Sequence, residues 1–259
     1  MLLAIDIGNT NVYLGLWHAG EWQISWRART VADKMPDEYA VLVRNFLSAA
    51  DLTYRAVDAV IISSVVPPLT ATFKELVEHY FKLEPLIVNH KTKIGIGIRI
   101  DQPEQAGADR LVNTAAVAAL YGGGPAIVID FGTATTFDIL SEDNHYIGGA
   151  ITTGIGVAAD ALVNRAARLH KVDLLPPPSP IGSNTIHAMQ SGLFWGYVGL
   201  IEGLTVRIKA ELAKSSTKPI TVYGTGGLSV LFQQHTDIFD RVEPNLTLDG
   251  LRVIYELNK

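Results

Sequence analysis

Apolar and polar residues fall into blocks that mark the same order of elements twice. Residues 2–8 form a short apolar block, the pattern of a buried strand. Residues 11–18 and 21–28 follow as two more strands, joined by the turn His18-Ala19-Gly20, so the three predict an antiparallel meander. Trp17, Trp22 and Trp26 suit the packing of such a sheet. Pro36-Asp37 opens a helix to about Ala50, with Tyr39, Leu42, Val43, Phe46 and Leu47 at helical spacing. A strand at 59–65 ends at Val66-Pro67-Pro68; a helix runs to about Phe81, and a short strand covers 85–88. A helix then starts near Asp109, carries Leu111, Val112, Ala115, Val117 and Ala118 to Tyr121, and stops at Gly122-Gly123-Gly124-Pro125.

The second half repeats the order. Strands are predicted near 126–131, 135–141 and 145–151, helices at about 155–169 and 185–214, a strand at 219–224, and helices at 228–235 and 247–257. Three meander strands, helix, strand, helix, strand is the ribonuclease H-like order. The expected class is α/β, with two duplicated domains of mixed five-stranded sheets flanked by helices. The domains are expected at 1–118 and 119–259. Pro176-Pro177-Pro178-Ser179-Pro180 reads as a stiff, extended connector along the rim of a substrate site or dimer interface, or equally as a solvent loop.

Composition narrows the function classes. The 259 residues are 48% hydrophobic and only 18% charged, which hints at surface buried in an oligomer. A formal net charge of −5 supplies no basic footprint, so no nucleic-acid partner is expected. The absence of cysteine excludes disulfides, thiolate metal sites and a Cys nucleophile. Asp6 interrupts the first apolar run and no basic segment precedes it, so no signal peptide is expected. No apolar run reaches the ~18 residues of a membrane span. A cytoplasmic protein is expected. The seven histidines lack metal-ligand spacing; His18, His145 and His235 read as surface or turn residues.

The chemistry gathers at two similar turns. Ala4-Ile5-Asp6-Ile7-Gly8-Asn9-Thr10-Asn11-Val12-Tyr13 is echoed by Val128-Ile129-Asp130-Phe131-Gly132-Thr133-Ala134-Thr135-Thr136-Phe137. Gly8 and Gly132 permit tight turns whose N–H groups can approach an anion. Thr10, Asn11, Thr133 and Thr135 offer neutral donors for phosphate oxygens. Asp6 and Asp130, at strand ends, can hold cations that offset phosphate charge. The competing reading is a plain hairpin turn capped by Asp, and one copy alone does not decide between them. Asp109, in Gly107-Ala108-Asp109-Arg110 at a predicted helix start, can accept a proton from an attacking alcohol or simply cap the helix.

These motifs, in this order, resemble type III pantothenate kinases, the Bvg accessory factor-like branch of the actin–hexokinase–Hsp70 ATPase superfamily. Gly148-Gly149-Ala150-Ile151, Thr185 with Gln190-Ser191-Gly192, and Gly224-Thr225-Gly226-Gly227 continue the match over almost the whole chain. The resemblance implies ATP-dependent phosphorylation of pantothenate, the first step of coenzyme A biosynthesis. It implies that ATP phosphates are held between the loops, through Asp6, Gly8, Asn9, Thr10, Asn11, Val12, Tyr13, Thr133 and Gly226. It makes Asp109 the general base and assigns pantothenate contacts to Gly107, Ala108, Asp109, Arg110, Thr185 and Ile100. It places Mg²⁺ near Asp6 through water, a monovalent cation (K⁺ or NH₄⁺) at Asp130, and a homodimer partner near Thr185. Two positions depart from the pattern: Ile100 stands where an aromatic residue is common, and Thr153-Gly154 where Pro-Gly is common. Other readings are an inactive nucleotide-binding regulator of the same fold and a kinase for another small hydroxylated substrate. The intact Asp6, Asp109 and Asp130 speak against the inactive regulator.

Overall fold

The computed structural model describes residues 1–166 and 169–259. The elements follow the chain as β1 (Leu2–Ile7), β2 (Asn11–His18), β3 (Glu21–Arg29), α1 (Pro36–Ala49), β4 (Ala59–Ser64), α2 (Pro67–Leu76), β5 (Leu86–Ile87), β6 (Gly97–Ile98) and α3 (Ala108–Leu120). The second half holds β7 (Ala126–Phe131), β8 (Ala134–Leu140), β9 (His145–Thr153), α4 (Ile155–Arg165), α5 (Thr185–Leu212), β10 (Thr221–Gly226), α6 (Ser229–Gln233), β11 (Arg241–Val242) and α7 (Leu246–Asn258). The helix expected at 155–169 ends at Arg165, and residues 167 and 168 lie outside the described residues.

Two compact units result: residues Met1–Gly122 with Asn245–Lys259, and Gly123–Pro244. In the first the strand order is β3-β2-β1-β4-β5, and the strands that the second unit itself supplies run β11-β10-β7-β8-β9. Each strand of one order has its counterpart in the other, so the duplication read from the sequence is a duplication of topology. The first three strands of each repeat are antiparallel, while β1/β4, β4/β5, β7/β10 and β10/β11 are parallel. The two-residue strands β6 and β11 are too short for any periodicity to reveal.

The unit boundary differs from the expected 118/119 division. The last helix, α7, packs in the first unit, on β1, β4 and α3. Its buried Leu246, Leu248, Leu251, Val253 and Ile254 supply the reason, because they complete the face that β1 and β4 present there. Gly250 lets α7 approach α3: a Cβ at this position would lie 2.3 Å from the Val112 carbonyl oxygen. Trp22 Nε1 donates to Asp249 at 2.8 Å and Tyr13 Oη to Asn245 at 3.0 Å, tying the helix start to the meander.

The opposite face of the first sheet packs on α1 and α2 through Leu3, Ile5, Ile7, Tyr39, Val43, Leu47, Leu69 and Phe73. The second sheet packs on α5 through Ile127, Ile129, Phe131, Phe137, Phe194, Tyr197 and Ile201. Burying each such side chain contributes roughly 1.5–3 kcal/mol. The helix α5 buries one face only, although its sequence is apolar around much of its circumference: Ile186 and Val206 stay exposed, and a Cβ at Gly192, Gly196 or Gly199 would meet nothing within 4 Å. The Pro-rich segment runs beside α5, held by Ser191 Oγ donating to the Pro180 carbonyl and Gln190 Nε2 to the Asp173 carbonyl.

Candidate active site

Both loops are hairpin turns at the ends of central strands. Gly8 N–H donates to the Asn11 carbonyl at 3.0 Å, and Gly132 N–H to the Ala134 carbonyl at 3.0 Å. Their lengths differ. Ile7 pairs with Val12, leaving four residues in the first loop, whereas Phe131 pairs with Thr135, leaving three in the second. The residue-for-residue match of the two stretches therefore breaks inside the turn. Asn9, Thr10 and Asn11 are exposed, as are Gly132 and Thr133, so these can meet a ligand. Thr135 cannot: the shorter loop makes it the first inward-facing residue of β8, fully buried, with its hydroxyl paired to Tyr197 Oη. The expectation that Thr135 donates to phosphate is corrected on that ground. The Val12 side chain is likewise buried in the core.

Each loop is braced from behind by the chain leaving the third strand. Thr30 N–H donates to the Thr10 carbonyl at 2.9 Å and Thr30 Oγ1 to the Gly8 carbonyl at 2.7 Å. At the equivalent place, Gly154 N–H donates to the Thr133 carbonyl at 3.0 Å. A Cβ at Gly154 would lie 2.4 Å from that carbonyl oxygen, so only glycine fits against the loop.

The carboxylates Asp6 and Asp130 are half-buried at the strand ends. Asp6 sits beside Ser63 in the parallel ladder and Asp130 beside Thr225. Gly226, with φ +86°, closes on Asp130 so tightly that a Cβ there would lie 2.5 Å from Oδ1. Among the described residues no group of three or more His, Asp or Glu side chains could hold a metal.

Asp109 opens the helix α3. Gly107 is the N-cap, and Asp109 lies in the first turn, its Oδ1 accepting from the Arg110 N–H at 2.8 Å. Gly107 makes room for it, since a Cβ would approach Oδ1 to 2.6 Å. Burial pushes the Asp109 carboxyl above its usual range, outweighing the opposing pull of the Arg110 N–H and guanidinium. A carboxylate that binds a proton more readily than free aspartate suits a general base.

The chain matches the family model described as type III pantothenate kinase over residues 2–207. It is 49% identical to a type III pantothenate kinase of Roseiflexus sp. (strain RS-1), covering 100% of both chains. It is 45% identical to the one from Moorella thermoacetica (strain ATCC 39073 / JCM 9320), again over 100% of each. The chain belongs to the type III pantothenate kinase family. Solved structures agree in fold. A Campylobacter jejuni protein described as a conserved Baf family transcriptional activator superposes with TM-score 0.61 at 19% identity, over 99% of this chain and 98% of that one. The ethanolamine utilization protein EutJ from Carboxydothermus hydrogenoformans gives 0.53 at 14%, over 97% and 89%.

Within this type III pantothenate kinase the remaining expected residues fall in two places. Ile100 is half-buried, two residues beyond β6 in the first unit, and Gly107–Arg110 follow in the same unit. Thr185 begins α5 in the second unit, exposed, behind the Asn184 cap whose side chain accepts from His187 N–H at 2.9 Å. It lines a cleft of about 630 Å³ with Leu162, Gly182, Met189 and Leu193. Sequence reasoning missed Thr30 and Gly154, which brace the loops, and Tyr197, which pairs with the Thr135 hydroxyl. Thr30 and Gly154 had one available signal, since each directly follows a third meander strand.

Proposed function

We propose that this kinase transfers the γ-phosphoryl group of ATP to the primary hydroxyl of pantothenate, giving 4′-phosphopantothenate and ADP in the first step of coenzyme A biosynthesis. The observation that carries this reading is full-length identity near one half to pantothenate kinases together with intact Asp6, Asp109 and Asp130. The alcohol oxygen forms the new bond to phosphorus, the bond to the β-phosphate oxygen breaks, and the alcohol proton passes to the Asp109 carboxylate. Burial that raises the Asp109 pKa strengthens it for that transfer.

Asn9, Thr10, Asn11 and Thr133, with the turn N–H groups, contact ATP phosphates. Mg²⁺ sits near Asp6 through water. A monovalent cation, K⁺ or NH₄⁺, binds at Asp130, where the cradle around Oδ1 supports the reading. Gly107, Ala108, Arg110, Ile100 and Thr185 contact pantothenate, Arg110 by a fork to its carboxylate. The enzyme acts as a homodimer in the cytoplasm, and the uncovered glycine face of α5 supports the dimer. No helix of the described residues is long and apolar enough to cross a membrane. The net charge of −5 supports a protein without a nucleic-acid partner.

The test is purified protein with pantothenate, ATP, Mg²⁺ and K⁺, scored for 4′-phosphopantothenate. Product establishes the reading. ATP turnover only with a different small alcohol would assign another substrate, and ATP binding without turnover on any would assign a regulator.

A further inference from the structure

We propose that Ser63 and Thr225 are positioning residues: when the loop carboxylates hold their cations, the Ser63 hydroxyl donates to Asp6 and the Thr225 hydroxyl to Asp130. The proposal rests on the reading that these carboxylates bind cations. It starts from two of the three buried hydroxyls without a hydrogen-bond partner among the described residues; the third, Thr205 Oγ1, stands on α5 and not in a ladder beside a loop carboxylate. Ser63 and Thr225 are fully buried, and neither Oγ has a hydrogen-bond partner. Buried hydroxyls in folded proteins are almost always satisfied, and packing alone is served better by alanine or valine. Neighbouring hydroxyls obey the rule. Ser64 Oγ reaches the Val66 carbonyl at 3.2 Å and receives Thr70 Oγ1 at 2.8 Å, and Ser229 Oγ reaches the Gly226 carbonyl at 2.8 Å.

The second observation is where the two orphans stand. Ser63 is the register partner of Asp6 in β4/β1, and Thr225 that of Asp130 in β10/β7. Partners in a parallel ladder project to the same sheet face from strands about 4.8 Å apart, so rotation about the side-chain bonds can bring hydroxyl and carboxylate together. β4 and β10 hold equivalent places in the two strand orders, so the same arrangement occurs once per repeat, as Ser in one and Thr in the other. On the Asp130 side, the missing Cβ of Gly226 admits Oδ1, which fixes where that carboxylate lies.

The chemistry needs such a donor. A carboxylate that gives one oxygen to a cation is aimed by what the other oxygen accepts, and a hydroxyl rotor can supply that bond on demand. A purely structural residue at either position would be served as well by a side chain without a hydroxyl.

The experiment follows thermal unfolding of the whole protein with Mg²⁺ and a non-hydrolysable ATP analogue, titrated with KCl at ionic strength fixed by choline chloride. For Thr225→Val the KCl midpoint is expected to rise roughly 10–100-fold. Its unfolding temperature without K⁺ should equal or exceed that of the unsubstituted protein, because the orphan hydroxyl is gone. Thr225→Ser should keep the original midpoint. Ser63→Ala should shift the Mg²⁺ midpoint in the same way, read at constant KCl. An unchanged KCl midpoint in Thr225→Val overturns the Asp130 half, and an unchanged Mg²⁺ midpoint in Ser63→Ala overturns the Asp6 half. A marked loss of K⁺-free stability in Thr225→Val also overturns the proposal, since it would reveal a structural partner. Should valine not pack, Thr225→Ala replaces it with the same expectations for the midpoint. An unsubstituted protein blind to K⁺ removes the cation reading of Asp130 and this inference with it; a K⁺ response that Thr225→Val retains removes only the inference.

Discussion

Asp130 Oδ1 occupies the space that any side chain at Gly226 would need, 2.5 Å from the position of a Cβ there. Gly226 also holds a positive φ of 86°, which side chains rarely adopt. The glycine therefore shapes the carboxylate's place in the second loop rather than merely easing a turn. Gly226→Ala should displace either Asp130 or the end of β10. We expect a stability loss of about 1–3 kcal/mol and a larger fall in activity than other glycine substitutions of equal stability cost cause. Parallel melting and steady-state assays check this. Wild-type kcat with a wild-type melting temperature would remove the packing argument.

Asp109→Asn separates catalysis from stability. Removing one general base should lower kcat by on the order of 10²–10⁴ while ATP binding persists. Its stability effect carries a definite sign. Burial raises the folded-state pKa above the unfolded one. Below the unfolded pKa the carboxyl is neutral in both states and costs nothing; as pH rises through the folded pKa, the buried charge destabilises the fold. Asn carries no charge, so the variant should gain stability relative to the parent as pH rises from the unfolded pKa through the folded one, and the gain should vanish in acid. Denaturant titrations across that range check it. A variant with near-parental kcat, or with its gain confined to acid, would sink the assignment.

The brace from Thr30 Oγ1 to the Gly8 carbonyl is open to a near-isosteric test. Thr30→Val deletes that bond but keeps the Thr30 N–H bond to Thr10. A hydrogen bond of this kind is worth about 0.5–1.5 kcal/mol. If its loss falls on the loop, KM for ATP should rise roughly 2- to 10-fold with KM for pantothenate unchanged. Equal effects on both substrates would mean that Thr30 supports the unit as a whole.

Much of this was legible because strand blocks, glycine turns and helix stops are local signals. The meander, the strand at 59–65, the linking helix ending before Gly122 and the paired Asp-x-Gly turns all follow from residues adjacent in sequence. What escaped was set by long-range packing. α7 belongs to the second repeat in sequence but packs in the first unit, because its leucines complete a face of β1 and β4. Thr135 reads as a loop donor until the ladder shows the second turn one residue shorter, which sends its hydroxyl to Tyr197. Ser63 is unremarkable in sequence, since only β-register places it beside Asp6. His235, read as a surface or turn residue, does lie in the turn after α6; only its edge-on contact with Phe194 at 4.9 Å is set by packing.

Dependence on a monovalent cation is expected of the reaction as well as of binding. With Mg²⁺ constant, replacing K⁺ by choline should remove most turnover, NH₄⁺ should restore it, and Asp130→Asn should leave a residual rate that neither ion changes. Full activity of the parent enzyme in choline would defeat the idea.

The last prediction concerns α5. Its buried residues, among them Met189, Phe194, Tyr197, Val198 and Ile201, cover the second sheet along one side. Gly192, Gly196 and Gly199 recur at helical spacing and have open space where side chains would stand. Each glycine in a helix interior costs roughly 1 kcal/mol against alanine, and among the described residues nothing lies within 4 Å of where these Cβ atoms would stand to offset it. A second copy approaching along this face would supply the offset, and would lie near Thr185 at the start of the same helix. Gly196→Leu should then stabilise an isolated chain, or leave it unchanged, while blocking the approach of a partner. Sedimentation from nanomolar to micromolar protein should show a dimer for the parent and a monomer for the variant. If the partner helps close the pantothenate site, as proposed, the variant's KM for pantothenate should rise with KM for ATP little changed. A parent protein that is fully active as a monomer, or a Gly196→Leu variant that stays dimeric with unaltered substrate affinity, would show that this glycine face serves another purpose.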